Sequence, residues 1–411
     1  MNSAIRGPGG SWGEICMYTP TPLGGHALYA LDLLSALVST KPHRDLDVSL
    51  VTCSDLIARY RTGQYAIHDF LPPMRPVRDF PFPALWSWYR QRYYFLRDRA
   101  FTRWAVTFPS CRAVHFQEYT PWLAPAHFPA LKRAGLRLFC TVHGVYPHRY
   151  MSGVPKAVFH RWCRDAWKQC DALFVHTEGL AHALRQFLGP KHPPVFVTPH
   201  GITDALHALP DAAAATQTGG PGRLLFFGVI RPNKGLHVLL QAMRELPDFR
   251  LTIAGEFKEA SYRRKIRKHI AQLPEGQIRL IDRFVDDAEI PELFARSGLV
   301  VLPYTFFHAQ SGVLMLALKY GIPVVASDLG GIGETVRAMR IGECVAPDDP
   351  KALAGAIRRM TQPHAYGEAK AALEEARSKL SWKGTAELTW QAYLSILDAS
   401  DLRKNFLIQL I

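Results

Sequence analysis

Short apolar runs of four to six residues recur along the chain, each followed by a longer stretch with amphipathic spacing. In the first half the runs are "EICMYTP", "DVSLVTC", "RAVHFQ", "LRLFCTVHG", "DALFVHT" and "PVFVTPHG". In the second they are "RLLFFG", "FRLTIAG", "QIRLI", "GLVVLPY", "IPVVASD" and "GECVAP". Continuous rather than alternating apolar residues read as strands covered on both faces, with the helices between them as crossovers. The pattern predicts an α/β protein with a doubly wound parallel sheet, and it occurs twice.

Between the two sets lies "DALHALPDAAAATQTGGPGR", residues 204–223, rich in Ala, Gly and Pro and without periodicity. It reads as an interdomain linker. The partition is then a Rossmann-like domain over 1–205, a linker over 206–222 and a second Rossmann-like domain over 223–384, with helix to the end. Two such domains facing each other leave a cleft at the carboxyl ends of both sheets, where ligands bind. One stretch of the second domain, "YTFFHAQSGVLMLALKYGIPVVASDLGGIGE" (Tyr304 to Glu334), reads as a loop, a helix over Gly312 to Tyr320, a turn at Gly321–Pro323, a strand over Val324 to Ser327 and a glycine-rich loop.

A length of 411 residues with 48% hydrophobic content exceeds one ordinary core and agrees with two domains. The net charge of +14 is uneven: 23 Lys/Arg face 13 Asp/Glu up to Asp204, and 26 face 22 after it. A basic first half suits phosphate-bearing ligands or an anionic membrane surface. No RNA- or DNA-binding fingerprint accompanies the charge, so nucleic acid is not an expected partner. The seven cysteines are irregularly spaced and mostly lie in apolar runs, which reads as reduced, buried thiols. The first residues, Gly/Ser/Pro-rich and expected to be disordered, lack a signal peptide's apolar stretch, and no apolar run is long enough to cross a membrane. The expected location is cytoplasmic, with a peripheral place on the inner membrane face as an option. That option rests on "WSWYRQRYYFLRDRAFTRW" (86–104), where Arg90, Arg92, Arg97, Arg99 and Arg103 face only Asp98.

Candidate chemistry gathers at strand ends. "LFFGVIRPNKGL" puts Arg231 and Lys234 after a strand ending at Gly228 and before a helix. Arginine grips two phosphate oxygens, lysine adds a point charge and the helix N-terminus adds amide donors. A βα turn with two solvent-facing cations has the same appearance. "TPLGGHALYA" places Gly24-Gly25 after a strand and before a helix, without the third glycine of a dinucleotide fingerprint. His143 in "TVHGVYPH" and His200 in "TPHGI" occupy matching strand-end positions before glycine, and "HFQE" (His115 to Glu118) offers a weaker third case. No cluster has metal-ligand spacing.

Together these motifs resemble the retaining glycosyltransferases of family 4, which have the GT-B fold of two Rossmann-like domains facing across a cleft. The segments "GGHALY", "TVHGVYPH", "TPHGI", "FFGVIRPNKGL", "LTIAGE", "IDRFVDD", "VLPYTFFHAQSGV" and "GIPVVASDLGGIGE" fall in the family's order. The closing "SWKGTAELTWQAYLSIL" looks like the family's final helix, so a helix over about 385–411 is expected to pack back onto the first domain.

The resemblance implies a sugar nucleotide, a UDP- or GDP-sugar, on the second domain and an acceptor hydroxyl on the first. Bacterial polysaccharide or glycolipid synthesis is the setting it suggests, with a glycan or lipid-linked acceptor. Arg231 and Lys234 would neutralise the leaving diphosphate, so neither metal nor cofactor is expected. His143 would sit by the reacting sugar, Gly25 and Gly228 near the phosphates, Val285 near the base, and His26 and His200 on the acceptor side. Many members carry two glutamates eight positions apart; the matching residues here are His308 and Leu316. The chain looks like a subgroup with "QSGV", in which Gln310, Ser311, Gly312 and Val313 would meet the donor and Glu256 or Glu334 would replace the lost carboxylates. The alternative is a non-catalytic GT-B protein that binds a sugar nucleotide or a glycan.

Overall fold

The computed structural model describes residues 13–21, 25–42, 46–59, 65–75, 82–146, 151, 153–202 and 219–408. The N-terminal stretch up to residue 12, Gly24 and most of the linker (203–218) lie outside them.

All twelve strands expected from the apolar runs are present, with one more. Strands β1 (Gly13–Tyr18), β2 (Leu46–Cys53), β3 (Ala66–Leu71), β4 (Cys111–Phe116), β5 (Arg137–Thr141), β6 (Ala172–Val175) and β7 (Val195–Val197) form the first sheet, in the order β3-β2-β1-β4-β5-β6-β7. Strands β8 (Arg223–Phe227), β9 (Arg250–Ala254), β10 (Ile278–Ile281), β11 (Leu299–Leu302), β12 (Val324–Ser327) and β13 (Gly342–Val345) form the second, in the order β10-β9-β8-β11-β12-β13. Every pairing between these strands is parallel. Strand order reverses between β1 and β4 and again between β8 and β11, so each sheet opens a crevice at its carboxyl edge there. The unexpected strand, β3, is an edge strand with "AIHDFL" largely exposed; it carries no continuous apolar run because only one side of it is covered.

The helices that frame the cleft are α1 (Gly25–Ser39), α2 (Pro83–Thr107), α3 (Glu178–Leu188), α4 (Gly312–Lys319), α5 (Gly330–Met339) and α6 (Trp382–Ile408). The glycine-rich stretch after β12 is the first turn of α5 and not a loop. Gly330 starts that helix at φ 48°, in the left-handed region, and its position lies against the Phe307 carbonyl and His308 Cα, where a side chain would crowd. Helix α6 returns to the first sheet: Trp390 Nε1 donates to the Leu37 carbonyl at 3.0 Å and the Thr385 hydroxyl to the Pro199 carbonyl at 2.7 Å.

The loop after β8 depends on Gly235. It has φ 67°, in the left-handed region, and a Cβ there would lie 1.7 Å from the Pro303 carbonyl oxygen. Left-handed backbone alone costs a side-chain-bearing residue about 1–2 kcal/mol, and the clash adds to it. Gly235→Ala is therefore expected to destabilise the chain by about 3 kcal/mol. Urea unfolding measures this; a midpoint unchanged from wild type would contradict it.

Candidate active site

Two cavities meet in the cleft. The first, about 330 Å³, opens at the carboxyl edge of the second sheet. The turn after β8 supplies Gly228 and Lys234, and the end of β9 supplies Gly255 and Glu256. The N-terminus of α4 supplies Ser311, Gly312 and Val313, and the N-terminus of α1 supplies Gly25. Neither α1 nor α4 has an acidic residue in its own first turn, and the two positive helix ends converge here on a cavity that Glu256 and Asp287 also line.

The Lys234 ammonium stands 3.7 Å from the Tyr304 ring centroid and 4.4 Å from that of Phe307. These ring faces hold the cation at the cavity wall. Phe284, Val285 and Ile290 make the other end apolar, a surface suited to a planar ring. Gly228, at φ 102°, lets the strand turn away without a side chain entering the space beside Val313. Gln310 is tied to the protein: its amide donates to the Thr335 hydroxyl at 2.8 Å and its oxygen accepts from the Ser311 amide at 3.1 Å. Glu256 is paired with Lys258 at 2.6 Å.

The second cavity, about 810 Å³, lies under the first sheet's carboxyl edge. His26, Gln117, Glu118 and His143 line it, together with Trp86, Arg90, Tyr94 and Trp122. The two cavities touch at two pairs of consecutive residues: Gly25 and Gln310 face the first, His26 and Ala309 the second. Gly144 and Ala309 bridge the two domains at that boundary.

Histidines follow three successive strands, β5, β6 and β7, at positions 143, 176 and 200. His143 Nδ1 lies 2.9 Å from His176 Nε2, and His176 Nδ1 lies 3.2 Å from the Thr198 carbonyl. A carbonyl only accepts, so His176 carries its proton on Nδ1 and its Nε2 accepts. His143 then donates from Nδ1 and leaves Nε2 bare. That Nε2 is buried without a protein partner. Burial holds His143 well below the usual imidazole range, aided by the neighbouring histidines, and brings His176 to about 3 and His200 to about 4. All three are neutral at pH 7.

The structure places the expected residues unevenly. Gly25, Gly228, Lys234, Glu256, Val285, Gln310, Ser311, Gly312 and Val313 share the first cavity. His26 and His143 line the second. His200, expected on the acceptor side, opens instead on the first cavity, because the chain after β7 bends toward α6 and Trp382. Arg231 sits half-buried at the root of the Lys234 loop and not on the cavity wall. Glu334 is not with the donor-side residues: both its carboxylate oxygens lie 3.1 Å from the Gly179 amide, capping α3 of the first domain. His308 lines a separate cavity of about 320 Å³ with Glu334, while Leu316 forms apolar wall of the first cavity. His115 is buried between the Tyr393 and Thr141 hydroxyls and ties α6 to the first sheet. Arg97 is buried against Asp98 and Thr120, so it belongs to the core side of α2 and not to an outer basic face. Missed by sequence reasoning were His176, whose "FVHT" has no glycine after it, and the role of Glu118 within "HFQE".

With that geometry in hand, comparison with known families is decisive. Residues 23–206 match the Glycosyltransferase Family 4 profile, and residues 221–362 match Glycosyl transferases group 1. The chain belongs to the family 4 glycosyltransferases. It is 29% identical over 289 residues to a glycogen synthase of Mycobacterium tuberculosis, 67% of each chain. It is 38% identical over 106 residues to a GDP-mannose:glycolipid 4-beta-D-mannosyltransferase of Xanthomonas campestris, a match covering 26% of this chain and 30% of that one. Among solved structures, Anabaena HepE in complex with UDP and glucose superposes with a TM-score of 0.70 at 16% identity, over 93% of this chain and all of the other. Sucrose-phosphate synthase from Thermosynechococcus elongatus gives 0.72 at 17%, over 94% and all of the other. The fold is therefore GT-B, and the chain is a glycosyltransferase using a nucleotide-sugar donor.

Proposed function

We propose that the chain transfers a sugar from a UDP- or GDP-sugar to the hydroxyl of a glycan or lipid-linked acceptor, with retention at the anomeric carbon and without a metal. The observation that carries this reading is the convergence of Lys234 with the N-termini of α1 and α4 on one cavity. A leaving diphosphate there meets an ammonium and two sets of amide donors, the electrostatic service a metal gives elsewhere. Arg231, three residues before Lys234, reaches the same anion if the loop tightens around it. The apolar end by Phe284 and Val285 takes the base. The neighbouring cavity takes the acceptor. Relatives named for glycolipid and glycogen substrates support a glycan acceptor for this chain.

Turnover of a panel of UDP-, GDP- and ADP-sugars with glycan and glycolipid acceptors in EDTA tests the reading, and proton NMR of the product reads the anomer. Binding with no turnover anywhere in the panel would instead favour a non-catalytic sugar-nucleotide binder, the reading that His308 and Leu316 invite by standing where two glutamates are common.

The acceptor's membrane setting rests on the outer face of α2. Leu85, Trp88, Arg92, Phe95, Leu96, Arg99, Arg103 and Val106 are exposed along one stripe, with no carboxylate among them. Arginines between aromatic and aliphatic side chains suit an anionic bilayer surface. Among the described residues no helix is long and apolar enough to cross a membrane. Co-sedimentation with phosphatidylglycerol vesicles is expected, and charge reversal at Arg92, Arg99 and Arg103 together is expected to abolish it at physiological salt. Undiminished sedimentation of that variant would contradict the assignment.

A further inference from the structure

One face of α2 turns inward. Trp86, Arg90, Tyr94 and Arg97 recur at helical spacing and line the second cavity, with Gln91 beside them. The two arginines differ in what holds them. Arg97 is buried, 2.7 Å from Asp98 and bonded to the Thr120 hydroxyl at 3.1 Å. Arg90 is half-buried with its guanidinium carbon 4.5 Å from the centroid of the Trp86 ring. It has no ion-pair or hydrogen-bond partner among the described residues, and its Nε is buried. A guanidinium keeps its charge at every working pH, so holding one partly desolvated without an anion is costly.

Glu118, the carboxylate that lines the same cavity, is engaged elsewhere. It accepts from the Thr21 hydroxyl and lies 2.7 Å from His26 Nδ1, which ties the chain after β4 to the first turn of α1. Those bonds hold it below the usual carboxylate range against the opposing effect of burial, so it adds a negative charge to the cavity. A ligand that brings one further negative charge to Arg90 is better tolerated here than one that brings two.

The remaining open groups are neutral and of both kinds. Gln117 is 1% exposed, and neither atom of its side-chain amide has a protein partner among the described residues. Gln91 Oε1 and Trp86 Nε1 are buried in the same state. Buried donors and acceptors left open along one wall mark a ligand that supplies both. Sugar hydroxyls each donate and accept, and the Tyr94 and Trp122 rings give the apolar area that a sugar's carbon face covers.

We propose that the second cavity selects an acidic saccharide, a sugar bearing a single negative charge, with Arg90 gripping the charge and Gln117 a ring hydroxyl. This names the acceptor class for the cavity already read as the acceptor site, and it rests on that reading. A carboxylate carries one charge and meets a guanidinium through two parallel bonds, whereas a phosphate monoester brings nearly two charges. Arg90 and Gln117 are then specificity-determining residues for the acceptor.

Ligand-observed NMR titration of the whole chain, without donor, tests this. The probes are methyl uronides of the gluco, galacto and manno series, the matching neutral methyl hexosides and the hexoside 6-phosphates. At least one uronide is expected to bind about 10–100-fold more tightly than its neutral counterpart, and more tightly than its 6-phosphate. Arg90→Gln is expected to erase that preference and leave the neutral sugar's affinity as in wild type. Arg90→Lys is expected to keep part of it, because the charge stays and the planar fork is lost. Gln117→Leu is expected to weaken acidic and neutral sugars alike while holding or raising the urea midpoint, since it removes a buried amide that has no protein partner. A structural glutamine would lower that midpoint. The proposal falls if no uronide outbinds its neutral counterpart, if the 6-phosphates outbind the uronides, or if Arg90→Gln with a wild-type urea midpoint keeps the preference. Nucleotide binding is read separately: a chain that prefers a uronide through Arg90 but binds no nucleoside diphosphate loses the donor reading and keeps this site.

Discussion

Lys234→Ala is expected to lower kcat/KM for sugar transfer by about 100–1,000-fold, the usual loss when one preorganised stabiliser of developing negative charge is removed. The argument starts from sequence. Lys234 ends a 3-10 turn, Pro232–Lys234, that Gly235 closes in left-handed geometry. That turn sets the ammonium against the Tyr304 and Phe307 faces, at the mouth of a cavity that also receives two helix N-termini. The cation is in place before the donor arrives, so little reorganisation accompanies charge development on the diphosphate. Lys234→Arg is not expected to rescue: a planar fork does not fit the slot between two rings that a compact ammonium occupies. Steady-state kinetics with the donor varied checks this. A Lys234→Ala enzyme within fivefold of wild type would show that the cavity charge lies elsewhere.

The second large effect is on stability in acid. Burial brings His115 and His176 to about 3 and His200 to about 4, and holds His143 far below its ordinary value. For each, the folded value lies under the unfolded one, near 6.5. The stability is then fully present above pH 6.5 and is lost as pH falls toward the folded values. At pH 5 the unfolded histidines are protonated and folded His115, His176 and His200 are not, so each of these three costs about 2 kcal/mol relative to pH 7, and His143 acts in the same direction. Together they are expected to lower the urea midpoint steeply between pH 7 and pH 5, with about three protons or more taken up on unfolding at pH 5. A midpoint flat over that range would mean that these histidines are not held neutral.

The fold was readable because buried parallel strands announce themselves as continuous apolar runs, and twelve of thirteen did so. β3 escaped because an exposed edge strand has no reason to be apolar on every position. Strand-end chemistry was partly legible. "RPNKG" could be located from its position between a strand and a helix, yet nothing local said that Tyr304 and Phe307, some seventy residues on, would clamp its lysine. Glu118 and His26 are 92 positions apart, and only the adjacency of β1 and β4 at the switch point brings them together. Glu334 illustrates the opposite failure. The resemblance offered it as a replacement for a lost carboxylate, whereas the fold spends the carboxylate on a backbone amide of the other domain. His115 shared a strand-end pattern with His143 but lies within β4, where side chains alternate between the two covered faces, and it points to α6.

The central claim is that the cavity beside Lys234 is a nucleoside-diphosphate site that works without a metal. Calorimetric titration of the chain with UDP, GDP and ADP in EDTA tests it most directly. One of the three is expected to bind, and Lys234→Ala is expected to lose that binding while unfolding at the wild-type urea midpoint. No binding of any of the three, or equal binding by the folded Lys234→Ala variant, would contradict the account.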